Sequence, residues 1–479
     1  MHPIVRRLVC SLARLHDDLR SRLGPRPPRR RRIHRDFGPA LEALELRLCL
    51  TGAAAALNGS VAAPGAAAPQ AASTADYAYS RQGNKQNAGP MTGLGGVALE
   101  GGGTDVAAAF QWMIGHMGGK GDFLVLTATS TPGYNSFIKN MGGVNSVATL
   151  EIPSRAGALD PAVQQIIESA DAIFITGGSQ KDYINFWAGT PVQTAIADDI
   201  ARGAPIGGTS AGTDVIGQFI YSSLNSSVSS AAALANPFNS DVTLAENFVS
   251  SASSLPLLNN TIVDTHFITR DRTGRMLAFL ADLANPASPD SFSPDHQPMG
   301  IGINEQTALL IPTETNSSLG ESAGIATVIG NAKAKSPPQV EFFETPAWQS
   351  GFVDQPGMPL TYSPIQVDDV TPGGSFNLND WAANFQGSRP DSTLSSISVT
   401  NGVLSTTPLA GVAAKNIALA GAATPGISSG GGAATTQGID SSMIPAVFAL
   451  DGTNGDVIAT DALGDLSLPN TGTRNHPRH

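Results

Sequence analysis

The sequence predicts an α/β protein built on a mainly parallel, doubly wound sheet, with a small β-rich appendage towards the C-terminus. Three observations predict it. Strand-like and helix-like patterns alternate between residues 90 and 345, short apolar runs read as strands buried on both faces, and glycine clusters stand where those runs end. The chain has 479 residues, 41% of them hydrophobic, enough to bury a large core.

Gly95-Gly96-Val97-Ala98-Leu99-Glu100 reads as a strand running into Gly101-Gly102-Gly103, and an apolar helical pattern follows from Asp105 to about His116. Phe123 to Leu126 suits a buried parallel strand. Asp160-Pro161 is a helix start, with a capping side chain before a proline at the first helical position. Ala172-Ile173-Phe174-Ile175 is a further buried strand, ending at Thr176-Gly177-Gly178. Residues 346–405 carry Pro/Gly punctuation and short alternating runs such as Gln366-Val367-Asp368, which predicts the β-rich appendage. Residues 406–479 are rich in Ala, Gly, Thr and Ser and read as a low-complexity, flexible tail.

The first 75 residues read as a targeting segment outside the fold. Residues 1–50 hold 12 basic and 5 acidic side chains, leaving a balance of −18 on the remainder. So acidic a body argues against nucleic acid or an anionic membrane as partner, and it suits a cationic substrate. The basic run Arg26–Arg35 precedes the short apolar stretch Leu41–Gly52 and an Ala-rich stretch to Ala72, the parts of an export signal. Leu44-Glu45-Leu46-Arg47 also resembles the LEPR-XLL segments of some bacterial surface proteins, with Leu46 in place of the proline. Extracellular or cell-surface localisation is therefore expected. Both cysteines, Cys10 and Cys49, lie in this segment, so the body holds no disulfide framework, thiolate zinc site or cysteine nucleophile. No apolar run approaches the ~18 residues that span a bilayer.

The string Ile206-Gly207-Gly208-Thr209-Ser210-Ala211-Gly212 places a serine between small residues at a strand-to-helix turn, the arrangement of a nucleophile elbow, with a helix expected from Ala211 to Phe219. Glycines at 208 and 212 remove side chains that would clash in the turn, and the Ala211 amide is placed to bind an oxyanion. A serine nucleophile needs a base, and three histidines fall inside the domain. His116 lies in a helical pattern and is expected on the surface; His296 lies in the loop-like stretch Asn285–Pro298. His266 follows the strand-like Thr261-Ile262-Val263-Asp264, and strand ends are where an α/β sheet presents catalytic groups. His266 is the best base.

Several strings together resemble the cyanophycinase family, serine peptidases on a fold like that of class I glutamine amidotransferases. Gly208-Thr209-Ser210-Ala211-Gly212 resembles the nucleophile motif, Gly177-Gly178-Ser179-Gln180 the Gly-Gly-Asp-Gln loop, and Asp264-Thr265-His266-Phe267 the Asp-Gln-His-Phe segment. Gly300-Ile301-Gly302-Ile303-Asn304-Glu305-Gln306-Thr307-Ala308-Leu309 resembles a fourth, and Gly357–Thr361 the region after the domain in exported members. The likeness covers roughly residues 90–375. It implies a catalytic Ser210, His266 and Glu305, oxyanion-binding amides of Gly178 and Ala211, and substrate contacts from Gln180, Asp264, Thr265, Arg270, Arg272 and Arg275. It implies a β-aspartyl peptide or cyanophycin-like polymer as substrate, a homodimer, and no cofactor or metal. Ser179 and Thr265 depart from the family's Asp and Gln, which bears on specificity more than on catalysis. Two other readings share some features: an α/β-hydrolase esterase, whose partners normally run serine, acid, histidine, and a non-catalytic exported binding module on the same fold.

Overall fold

The computed structural model describes residues 73–74, 76–129, 133–251, 254–384 and 392–408. Of the expected export segment, residues 1–75, only 73–74 and of the expected flexible tail, residues 406–479, only 406–408 are described, both as strand; the rest lies outside the described residues.

In chain order the strands are β1 (Ser73–Thr74), β2 (Tyr77–Gly83), β3 (Val97–Glu100), β4 (Asp122–Thr127), β5 (Ser146–Glu151) and β6 (Ala172–Ile175). There follow β7 (Ile206–Thr209), β8 (Phe219–Tyr221), β9 (Leu244–Glu246), β10 (Thr261–Asp264), β11 (Met299–Ile303) and β12 (Thr307–Ile311). The last six are β13 (Ile325–Gly330), β14 (Val340–Glu344), β15 (Tyr362–Val370), β16 (Ser375–Asn377), β17 (Ser392–Thr400) and β18 (Val403–Pro408). The helices are α1 (Ala107–His116), α2 (Tyr134–Met141), α3 (Arg155–Ala158), α4 (Pro161–Glu168) and α5 (Gln180–Trp187). After them come α6 (Pro191–Ala201), α7 (Ala211–Asp214), α8 (Ser230–Ala235), α9 (Thr273–Ala284) and α10 (Trp381–Asn384).

The strands form two mixed sheets. The first runs β1-β2-β5-β4-β6-β7-β3-β12-β13-β16 and the second β18-β17-β15-β14-β11-β10-β8-β9. Parallel pairing is confined to the middle of each: β5-β4-β6-β7-β3 in the first, β11-β10-β8 in the second. The expected mainly parallel sheet is thus a five-strand parallel centre with antiparallel wings. The strands of residues 346–405 form no sheet of their own: β16 extends the first sheet beside β13, while β15 and β17 extend the second beyond β14. At the other edge, β1 and β2 carry the sheet back to Ser73, ahead of the expected start near residue 90.

The centre follows from its side chains. All six residues of β4 are buried, as a parallel strand covered on both faces requires. Phe110, Phe123, Tyr134 and Phe174 fill the layer under α1 and α2. On the opposite face the core draws on α4 to α6 and on inward residues of the second sheet, among them Ile301 and Phe342. The outer face of the second sheet is covered by α9, all twelve residues of which are buried. At α4 the Asp160 side chain accepts the Ala162 N–H at 2.8 Å, with Pro161 at the first helical position. Among the described residues no helix is long and apolar enough to cross a membrane.

This topology decides where chemistry can sit. The strands β3, β6, β7, β10 and β11 end at Glu100, Ile175, Thr209, Asp264 and Ile303, and each is followed within a few residues by a predicted site residue or a glycine turn. Carboxyl ends of parallel strands are where such sheets bind ligands.

Candidate active site

Ser210 links β7 to the short helix α7 and sits at φ 52°, ψ −127°, a sparsely populated conformation for a residue with a Cβ. The surroundings over-determine it. The Ser210 N–H donates to the Glu100 carbonyl at 3.2 Å, and the Asp214 N–H donates to the Ser210 carbonyl at 3.0 Å. A Cβ at Gly208 would lie 2.6 Å from the Gly212 carbonyl carbon, and one at Gly212 would collide with the Ile175 carbonyl oxygen. Both glycines are therefore demanded by close backbone approach, as the sequence predicts. The helix after the serine is one turn, Ala211–Asp214, and not the nine residues expected, because Phe219 already opens β8.

His266 brings its imidazole to this turn from the second sheet. Its Nε2 lies 2.8 Å from Ser210 Oγ, and its Nδ1 lies 2.6 Å from Glu305 Oε1. The histidine too is held at positive φ, 46°, by donation of its N–H to the Gly101 carbonyl at 2.8 Å. Gly102, at φ 87°, makes room for the ring, since a Cβ there would collide with His266 Nε2. Gly103 likewise packs against Glu305, which stands two residues after the end of β11. Sequence reasoning noted the glycine run without its purpose, which depends on a histidine more than 160 residues away.

Burial dominates the electrostatics of the histidine. It pushes the His266 imidazole down to about 4, against the opposing effect of its hydrogen bond to Glu305 and with help from the charges of Arg270 and Arg272. Glu305 is held below the usual carboxylate range, first by its hydrogen bond with His266. His266 is thus a neutral base through the whole neutral range. For any reaction that uses it as base, kcat/KM should hold down to about pH 5 and fall only as the ring protonates near 4. Arg270→Gln removes a cation that disfavours the imidazolium, so the acid limb should move to higher pH; a pH–rate profile of the two proteins checks the direction.

Gly177 and Gly178 follow β6 and lie against the serine: a Cβ at Gly177 would be 3.4 Å from Ser210 Cβ. Ala211 opens α7, and an N–H at that position has no intrahelical acceptor. Gln180, the first residue of α5, donates from Nε2 to Asp214 Oδ2 at 2.6 Å. Ser179 caps α5 by accepting the Asp182 N–H at 3.4 Å.

The arginines are where expectation and structure part. Arg270 and Arg272 precede α9 and Arg275 lies in its first turn, as predicted. Only Arg270 is exposed. Arg275 is 2% exposed and grips Asp264 with two bonds, Nε to Oδ2 at 2.7 Å and Nη2 to Oδ1 at 2.6 Å, under the ring of Tyr221. Arg272 is 8% exposed and donates from Nη1 to Asp264 Oδ1 at 3.0 Å and to the Thr265 carbonyl at 2.7 Å. Asp264 and Thr265 are themselves enclosed. Asp264, Thr265, Arg272 and Arg275, the expected substrate contacts, are joined in a buried ionic network that follows the strand end carrying His266. His116, expected on the surface, is also buried, between the Trp112 carbonyl at 2.8 Å and Glu321 Oε2 at 2.9 Å. His296 lies on the loop between α9 and β11, as expected.

Residues 104–318 match the model of peptidase family S51. That match supports a serine peptidase, and it spans Ser210, His266 and Glu305. A cyanophycinase of Geminocystis herdmanii is 30% identical over 175 residues, which are 36% of this chain and 54% of that protein. One of Trichormus variabilis is 30% identical over 166 residues, 34% of this chain and 47% of its own. The chain thus spans about half the length of the curated relatives it matches. The crystal structure of a peptidase from an acI-B1 actinobacterium aligns with 60% of this chain and 98% of its own, at 18% identity and a TM-score of 0.37, too loose a superposition to bear on the site.

Proposed function

We propose that this protein is an exported serine peptidase that hydrolyses β-aspartyl peptide bonds, with cyanophycin as its polymeric substrate, on a class I glutamine amidotransferase-like fold. The observation that carries the reading is the unbroken line Ser210 Oγ, His266 Nε2, His266 Nδ1, Glu305 Oε1, with separations of 2.8 and 2.6 Å at its two hydrogen bonds. Two carboxyl-end loops of the first sheet flank that serine, and the matched relatives are named for cyanophycin.

In this mechanism the strained turn at Ser210 acts as a nucleophile elbow. His266 Nε2 takes the Ser210 hydroxyl proton as Oγ bonds to the scissile carbonyl carbon, and Glu305 fixes the ring with Nδ1 protonated. The Ala211 and Gly178 N–H groups receive the oxyanion. Collapse breaks the C–N bond, with His266 returning the proton to the leaving amine, and leaves an acyl-enzyme on Ser210. Water, deprotonated by the same imidazole, then cleaves the ester and frees the aspartyl carboxyl. Arg270 and the Gln180 amide are the groups left to meet the substrate's free carboxylate and its neighbouring amide.

Incubation of the purified protein with cyanophycin, followed by mass spectrometry, should release β-Asp-Arg, and matched α-linked peptides should stay intact. Equal cleavage of α- and β-linked peptides would reject the specificity. A panel of simple acyl esters tests the esterase alternative. The same reading makes the active form a homodimer, which sedimentation would show. Export predicts a mature N-terminus between about residue 52 and the first strand at Ser73. N-terminal sequencing of the native protein checks it, and an intact Met1 end in a cytoplasmic fraction would reject it.

A further inference from the structure

Gln180 and Asp214 meet beside the serine without belonging to the hydrogen-bonded line through His266. Gln180 opens α5, three residues after Gly177, which packs against Ser210. Asp214 closes α7, the single turn that starts after Ser210, and its N–H holds the Ser210 carbonyl. The two side chains join at 2.6 Å, Gln180 Nε2 to Asp214 Oδ2. Asp214 is 2% exposed, and its Oδ1 has no hydrogen-bond partner among the described residues.

A carboxylate has no proton to offer, so a primary amide can meet it only through its NH₂ end. That contact commits one end of Gln180 and turns the other, the carbonyl Oε1, away from Asp214. The geometry points to Asp214 as a positioning residue that sets the donor–acceptor sense of Gln180, so that the site offers a fixed carbonyl and selects a substrate carrying an N–H there. The inference rests on the β-aspartyl peptidase reading and adds to it a rule about which amide-bearing substrates are preferred.

The ionisation of Asp214 makes the rule testable without a mutation. The charged groups acting on it are Asp264, Arg272 and Arg275, with Gln180 and Thr265 as polar neighbours. Burial and the Asp264 charge raise its carboxyl to about 7, against the pull of the two arginines. Above that pH Asp214 is a carboxylate and the Gln180 carbonyl is fixed towards substrate. Below it, the protonated acid can donate to Oε1 instead, the amide is free to turn, and the selection relaxes.

The experiment compares kcat/KM for two probes, a β-Asp-Lys methylamide and the corresponding methyl ester, between pH 6 and 8.5. They differ by a single N–H. Gln180→Met supplies the baseline ratio for a site with no amide. Wild type should favour the methylamide about tenfold over that baseline at pH 8.5, the worth of one hydrogen bond whose buried partner would otherwise go unmet. The preference should shrink severalfold by pH 6. Asp214→Asn, which can meet either end of the Gln180 amide, should show a pH-independent ratio near the Gln180→Met baseline. A wild-type ratio that does not change with pH, or an Asp214→Asn protein that keeps the wild-type dependence, would overturn the inference alone. Failure of wild type to hydrolyse either probe would overturn the peptidase reading and this inference with it. If Asp214→Asn does not fold, the wild-type and Gln180→Met profiles still decide.

Discussion

Ser210→Ala should lose on the order of 10⁶-fold in turnover while melting at the wild-type temperature. The size of the effect follows from the geometry. The hydroxyl is the group that would bond to the scissile carbon, and the hydrogen-bond partner of His266 Nε2 among the described residues is that hydroxyl, 2.8 Å away. His266→Ala should cost a similar amount, and the double variant little more, because each residue is useless to the reaction without the other. Steady-state kinetics on a β-aspartyl peptide, with circular dichroism to show intact folding, provide the check. Retention of a tenth of wild-type activity by Ser210→Ala would remove the mechanism.

The second large effect is on stability. Asp264→Ala should destabilise the fold by about 3–5 kcal/mol, the range for breaking a buried ion pair by removing one partner. Asp264 is 1% exposed, and its two oxygens accept three bonds from Arg272 and Arg275, both of them buried. Burial works to raise the Asp264 carboxyl, but Arg275 and then Arg272 outweigh it and hold the group below its ordinary value. With a depressed folded value, its contribution is fully present at neutral pH and is lost as pH falls through that value. Urea denaturation at pH 7 and in acid should therefore show the variant deficit shrinking as the solution is acidified. An Asp264→Ala protein within 1 kcal/mol of wild type at pH 7 would mean that the network is merely tolerated.

These two predictions also mark what could be read from the chain. Ser210 was legible because its constraint is local: a positive φ at the serine and backbone packed against positions 208 and 212 require small residues at fixed spacing. His266 was legible because β10 is a short apolar run, whereas Glu305 came only from the family resemblance; the parallel register Asp264↔Gly302 brings the two strand ends together. The buried network was not. Asp264, Arg272 and Arg275 are visible as residues, but nothing in their spacing tells whether the arginines face substrate or the carboxylate. Likewise the second sheet depends on pairings such as Phe342↔Asp368 and Asp368↔Leu394, whose registers are set by packing between distant segments. Polar alternation in β15 and β17 reads as a small separate unit until those partners are known. The contact between Gln180 and Asp214 crosses 34 positions and carries no periodic signal.

The central claim is that Ser210 is a nucleophile activated by His266. Labelling with a serine-directed phosphonate, followed by peptide mapping of the adduct, tests it most directly. One phosphonyl group on the peptide that contains Ser210, absent after His266→Ala, is the predicted result; an unlabelled protein, or an adduct on any other residue, would contradict it.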